Sequence, residues 1–194
     1  MAISSNVEGF LQKVASGVRP NMFEVGITFP TGITGTVDTG LVNILCKSAA
    51  LPASSVGTIE VPFRGRTVKI AGDRTFDNWT ATFINDKDMK VRQYFEKWLN
   101  LINSHEDNTA QAFSPTATGK YTSDVFVSQL KKDDSDEGSL LRKYKLWYAF
   151  PTSVSQIDLA YDSNDQVEEF SVEFQYSYWT VEKEGAPNDG IAID

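Results

Sequence analysis

The sequence predicts a mainly β fold: two packed antiparallel sheets forming a sandwich that closes toward a barrel, with one flanking α-helix. Three observations carry this. Apolar and polar residues alternate with period two over residues 66–71, 79–83 and, most cleanly, 167–178, as half-buried strands do. Aromatic residues make up 12% of the 194 residues, in a composition rich in the types that sheets prefer. Helical periodicity of any length is confined to residues 87–102, where Val91, Tyr94, Phe95, Trp98, Leu99 and Ile102 share one face.

Taken in order, Ser5-Asn6-Val7-Glu8 has the form of a capping box, and Phe10, Leu11 and Val14 follow on one face, predicting a short helix over residues 5–17. Arg19-Pro20-Asn21 breaks the chain. Phe23, Val25, Ile27 and Phe29 then alternate as a first strand. Residues 30–40 are glycine- and threonine-rich and read as a loop, followed by a second strand over residues 41–47. Residues 58–63 and 66–71 flank Arg64-Gly65 as a projecting hairpin, with glycine supplying a positive φ at its turn. Residues 71–79 read as a turn before the strand that starts at Trp79, and Asn85 or Asp86 is placed to cap the long helix. Residues 103–120 read as a long polar loop. Residues 124–131 and 140–149 read as strands joined across an acidic tip, and residues 156–161 and 167–181 as a last hairpin. The whole is expected to be one domain over residues 1–194, ending in a loose tail over residues 182–194. The loops at 30–40 and 103–120 and the tail are too polar to order themselves and are expected to be mobile in the free chain.

Composition excludes several classes of function. No apolar run is long enough to span a bilayer, so no membrane insertion is expected, and the first residues lack the pattern of a secretory signal. One cysteine, Cys46, and one histidine, His105, cannot build a paired-thiol or zinc site; Cys46 reads as a small core residue. A formal charge of −8 argues against gripping nucleic acid, whose affinity comes from Lys and Arg, while leaving open a protein that nucleic acid slides past. Gly119-Lys120 lacks the upstream glycine and the following hydroxyl of a phosphate loop, because Ser114 and Tyr121 occupy those places. Asp162-Ser163-Asn164-Asp165 begins like a calcium loop, with Glu173 at the twelfth position. Val167, however, stands where that loop needs glycine, so a side-chain-capped turn is the better reading. His105 past the helix end serves the dipole and solvent better than a catalytic pair. No catalytic residue, cofactor or metal is expected. The cluster Asp73, Arg74 and Asp77 either fixes the register of neighbouring subunits or pins the local turn, and sequence leaves both open.

The block AGDRTFDNWT at residues 71–80, followed by a strand, Asn-Asp and a helix, resembles the tail tube proteins of T4-type contractile-tailed bacteriophages. So do RPNMFEV at 19–25, CKSAALPA at 46–53 and residues 159–179, all in the family's order. The resemblance implies a non-enzymatic virion protein, assembled in the host cytoplasm, whose six-membered rings stack into a hollow conduit for DNA inside a contractile sheath. It implies as partners the sheath protein, a baseplate tube initiator and a tail terminator, with DNA passing through without specific binding. Under it, Arg64, Arg66, Asp73, Arg74 and Asp77 are candidates for contacts between subunits, and Glu60, Lys69 and Glu173 for an acidic or neutral bore wall. A baseplate tube initiator or the tube of a phage-like contractile injection system is the nearer alternative. A β-sandwich binding module with an exposed aromatic platform is the distant one.

Overall fold

The computed structural model describes residues 7–15, 17–33, 37–110, 112, 114–115, 120–131, 140–164 and 166–182. The expected capping box, the acidic tip and nearly all of the tail lie wholly or partly outside them. Among the described residues the chain runs α1 (Val7–Ala15), β1 (Phe23–Ile27), α2 (Thr39–Ile44), β2 (Cys46–Ala49), β3 (Ser55–Phe63), β4 (Arg66–Thr75), β5 (Trp79–Ile84), α3 (Lys90–Ile102), β6 (Ser123–Leu130), β7 (Leu140–Val154), β8 (Glu169–Gln175) and β9 (Tyr178–Glu182). The fold is mainly β and antiparallel, as the alternation predicts. Seven strands pair in the order β1-β6-β7-β8-β5-β2, with β9 on β7, while β3 and β4 pair only with each other.

The body is closed by one long strand that belongs to both of its halves. The first part of β7 lies between β6 and β9, with Leu146 opposite Val125 on one side and Trp179 on the other. Its last residues, Phe150 to Val154, pair instead with β8. The change of partner falls at Tyr148, whose φ of 56° lies in the left-handed region and turns the strand. This corrects the last predicted hairpin. Residues 156–161 form no strand, and the run expected over 167–181 is divided into β8 and β9 at Tyr176-Ser177, where the Ser177 amide donates to the Trp147 carbonyl at 3.0 Å. The local alternation of Phe170, Val172 and Phe174 is real, and all three are buried. Its partner strands are β5 and β7, which no local pattern names.

The two halves face one another across a single core. Val25, Ile27, Val125, Val127 and Leu146 come from the first half, and Ala81, Phe83, Phe170, Val172 and Phe174 from the second. Helix α3 lies against this core through Val91, Tyr94, Phe95, Trp98 and Leu101. Leu101 is buried where Leu99 was expected. Phe95 meets Phe83 and Phe174 with ring centroids 5.0 and 6.0 Å away, and Trp98 meets Phe29 at 5.2 Å and Phe174 at 6.1 Å. The buried indole N–H groups are satisfied by carbonyls, Trp98 donating to Tyr121 and Trp79 to Ala50, each at 2.6 Å. The helix starts at Lys90, three residues after the predicted start, because Met89 adopts a φ of 54°. Asp86 still provides the capping bond, its Oδ1 accepting from the Val91 amide at 3.0 Å.

Residues 41–44 are helical, which corrects the strand predicted there. Asp38 Oδ1 accepts from the Leu41 amide at 3.0 Å and starts α2. Leu41, Val42 and Leu45 all pack in the core, and a strand would send the adjacent Leu41 and Val42 to opposite faces whereas one turn of helix brings all three to one side. Asn43 Oδ1 accepts from the Ile27 amide at 3.0 Å and so ties α2 to β1.

Candidate assembly surfaces

The β3–β4 ribbon is where sequence and structure differ most usefully. Its alternation predicts one buried face, yet every residue of β3 is exposed, and so is all of β4 except Gly72. The register pairs Ile59 with Ile70, Val61 with Val68 and Phe63 with Arg66, so these six side chains share one face. That face is apolar and uncovered, with Phe63 62%, Ile59 54% and Ile70 52% exposed. The opposite face carries the pair Glu60 and Lys69, whose Nζ stands 3.3 Å from Glu60 Oε1. Arg64 and Gly65 form the turn with φ of 45° and 79°, the double positive φ of a tight hairpin turn.

The residues singled out in the sequence fall in three places. Arg64 and Arg66 are at the ribbon tip, where the Arg64 guanidinium lies 5.3 Å from the Phe63 ring centroid. Asp73 and Arg74 are not in a turn. They are neighbours on β4 near the ribbon base, Arg74 opposite Val56, and so point to opposite faces. Asp77 lies in the connection to β5, and no ion pair joins these three among the described residues. Glu60 and Lys69 are brought together, whereas Glu173 lies apart from them on β8, accepting from Asn78 Nδ2 at 2.6 Å and Ser153 Oγ at 3.2 Å. Around Glu173 the outward face of β8 and β5 is built of small polar pairs. Gln175 donates to Asn78 at 2.7 Å, the Thr82 and Ser171 hydroxyls stand 3.1 Å apart, and Lys47 holds Glu169 at 2.6 Å. Phosphate would find no unpaired cation among these groups.

Among the described residues no group of His, Cys, Asp and Glu is spaced to hold a metal, and no helix is long and apolar enough to cross a membrane. His105 Nδ1 lies 3.2 Å from Asn100 Oδ1, which also accepts the His105 amide at 3.1 Å. Cys46 is half-buried, and burial pushes its thiol from 9.0 up to about 12 despite a weak bond to the Ser48 carbonyl. A thiol held protonated is a poor nucleophile. At pH 8.5 iodoacetamide is therefore expected to label Cys46 in the folded chain on the order of a hundredfold more slowly than in the unfolded one, as read by mass spectrometry.

A two-sheet body with satisfied polar faces and an uncovered apolar ribbon defines a structural subunit, one whose surfaces are built for contact with protein. The chain belongs to the phage tail tube protein family, whose sequence model matches residues 18–182. It is 34% identical over 161 residues to the tail tube protein gp19 of Enterobacteria phage T4, covering 83% of this chain and 90% of that one. It is 27% identical to the tail tube protein of Serratia phage KSP90, covering 91% and 95% of the two chains. Its fold is shared by a chain of the sheath–tube complex of the PVC extracellular contractile injection system in its extended state. That match has a TM-score of 0.55 at 17% identity and covers 92% of this chain and 99% of the other.

Proposed function

We propose that this chain is the subunit of a tail tube in a phage virion: six copies close into a ring, and the rings stack into the conduit through which DNA leaves the capsid. The uncovered apolar face of the β3–β4 ribbon carries this reading, because a monomer would leave that face in water, whereas a closed assembly buries it. The T4 relative, at twice the identity of the PVC chain, supports a phage tail over a free injection system. The sheath, a baseplate initiator and a terminator are the partners that such a tube needs. Arg64, Arg66, Asp73, Arg74 and Asp77 are assigned to contacts between copies. Glu60, Lys69 and Glu173 are assigned to the bore wall, where carboxylates held by Lys69 and by Asn78 and Ser153 give DNA little to grip.

Purified protein incubated with baseplates is expected to form hollow tubes with six-fold symmetry in electron micrographs. A stable monomer at high concentration under the same conditions would sink the assignment.

A further inference from the structure

A cavity of about 720 Å³ opens where the chain leaves β7 and returns to β8, a volume within the range of ligand-sized clefts. Asp158, Glu168 and Glu169 line it, and among the described residues no Lys or Arg does. Lys47 already holds Glu169, but among the described residues the other two meet only amides: Asp158 Oδ1 accepts from Gln156 at 3.3 Å and Glu168 Oε2 from Asn85 at 3.1 Å. Among the neutral polar Gln156, Ser163 and Gln166 of its wall stand two apolar side chains open to water, Leu159 80% and Val167 65% exposed. The cleft is anionic and polar, with these two apolar side chains left uncovered among the described residues.

The tip of the β3–β4 ribbon is its converse. Phe63 and Arg66 are register partners and share a face, Arg64 lies over the Phe63 ring, and neither guanidinium is in an ion pair among the described residues. We propose that the ribbon tip of one copy seats in this cleft of the next, Phe63 against Leu159 and Val167, with Arg64 and Arg66 reaching Asp158 and Glu168. The proposal rests on the reading that the chain assembles with itself. A second copy is the occupant because tip and cleft are opposite in charge, alike in apolar character, and present once each on every chain. Two different patches meeting make a heterologous contact, which either closes a ring or propagates a stack. An aromatic ring flanked by arginines, enclosed by carboxylates, is the composition that concentrates binding energy at interfaces.

The test is a charge swap in trans. The variant R64E/R66E has an acidic tip and an acidic cleft, and D158R/E168R has a basic tip and a basic cleft. All four positions are exposed, so both variants should keep the wild-type circular dichroism spectrum, with R64Q/R66Q and D158N/E168N as milder substitutes should either fail to fold. Each variant alone is expected to need at least a tenfold higher concentration than wild type to assemble, by light scattering and electron microscopy. A one-to-one mixture is expected to recover wild-type assembly, since every tip then finds an oppositely charged cleft by alternation. Assembly of either variant alone at the wild-type concentration would overturn the pairing, as would folded variants whose mixture shows no recovery. Failure of the wild-type protein to assemble would instead overturn the tube reading beneath it.

Discussion

Trp98→Ala and Phe95→Ala are each expected to lower the stability of the subunit by about 3–5 kcal/mol, among the largest effects of any single truncation. Both side chains are fully buried, and α3 reaches the core mainly through them. Phe95 contacts rings from β5 and β8, so its loss opens a cavity where helix and sheet meet. Trp98 also donates to the part-buried Tyr121 carbonyl, which would lose that donor, a cost of about 1 kcal/mol within that total. Gln93→Ala, on the exposed side of the same helix, should change stability by no more than about 0.5 kcal/mol. Urea unfolding followed by tryptophan fluorescence separates the two. Equal effects at Gln93 and Phe95 would show that the helix is not held by this face.

Replacing residues 58–71 by Asn-Gly, so that a two-residue turn joins Gly57 to Gly72, is expected to abolish assembly while leaving the subunit folded. The ribbon pairs only with itself, so the body loses no core contact when it is removed. Five apolar side chains, Ile59, Val61, Phe63, Val68 and Ile70, stand roughly half exposed on it. Completing the burial of each returns on the order of 1 kcal/mol, enough over five residues to decide whether copies associate. The measurements are the thermal midpoint, expected to stay within a few degrees, and tube formation in electron micrographs. Normal tubes from the shortened chain would remove the ribbon from the assembly altogether.

Local pattern made much of this protein legible. The face of α3 carrying Val91, Tyr94, Phe95 and Trp98, the buried face of β5 and the alternation of Phe170, Val172 and Phe174 stand as read, because side-chain period is set by the backbone of the element itself. The four blocks that resemble tail tube proteins carried the family and, with it, the role. Where reading failed, a distant partner decided. Residues 41–44 are too few for a period to separate helix from strand, and the helix wins because Asp38 caps it and Leu41, Val42 and Leu45 all reach the core. The run after Val167 is divided because both parts must pair with β7 on either side of its bend at Tyr148, a constraint that lies outside the run. The exposed cleft between β7 and β8 gave only a faint signal, apolar Leu159 and Val167 set among acidic residues. The ribbon is the sharpest case. Its alternation marks which face is apolar and is right about that, but a period records the chemistry of a face and not its neighbour. Only the tertiary structure shows that none of the described residues covers Ile59, Phe63 and Ile70, because what lies against a face depends on where the rest of the chain has gone.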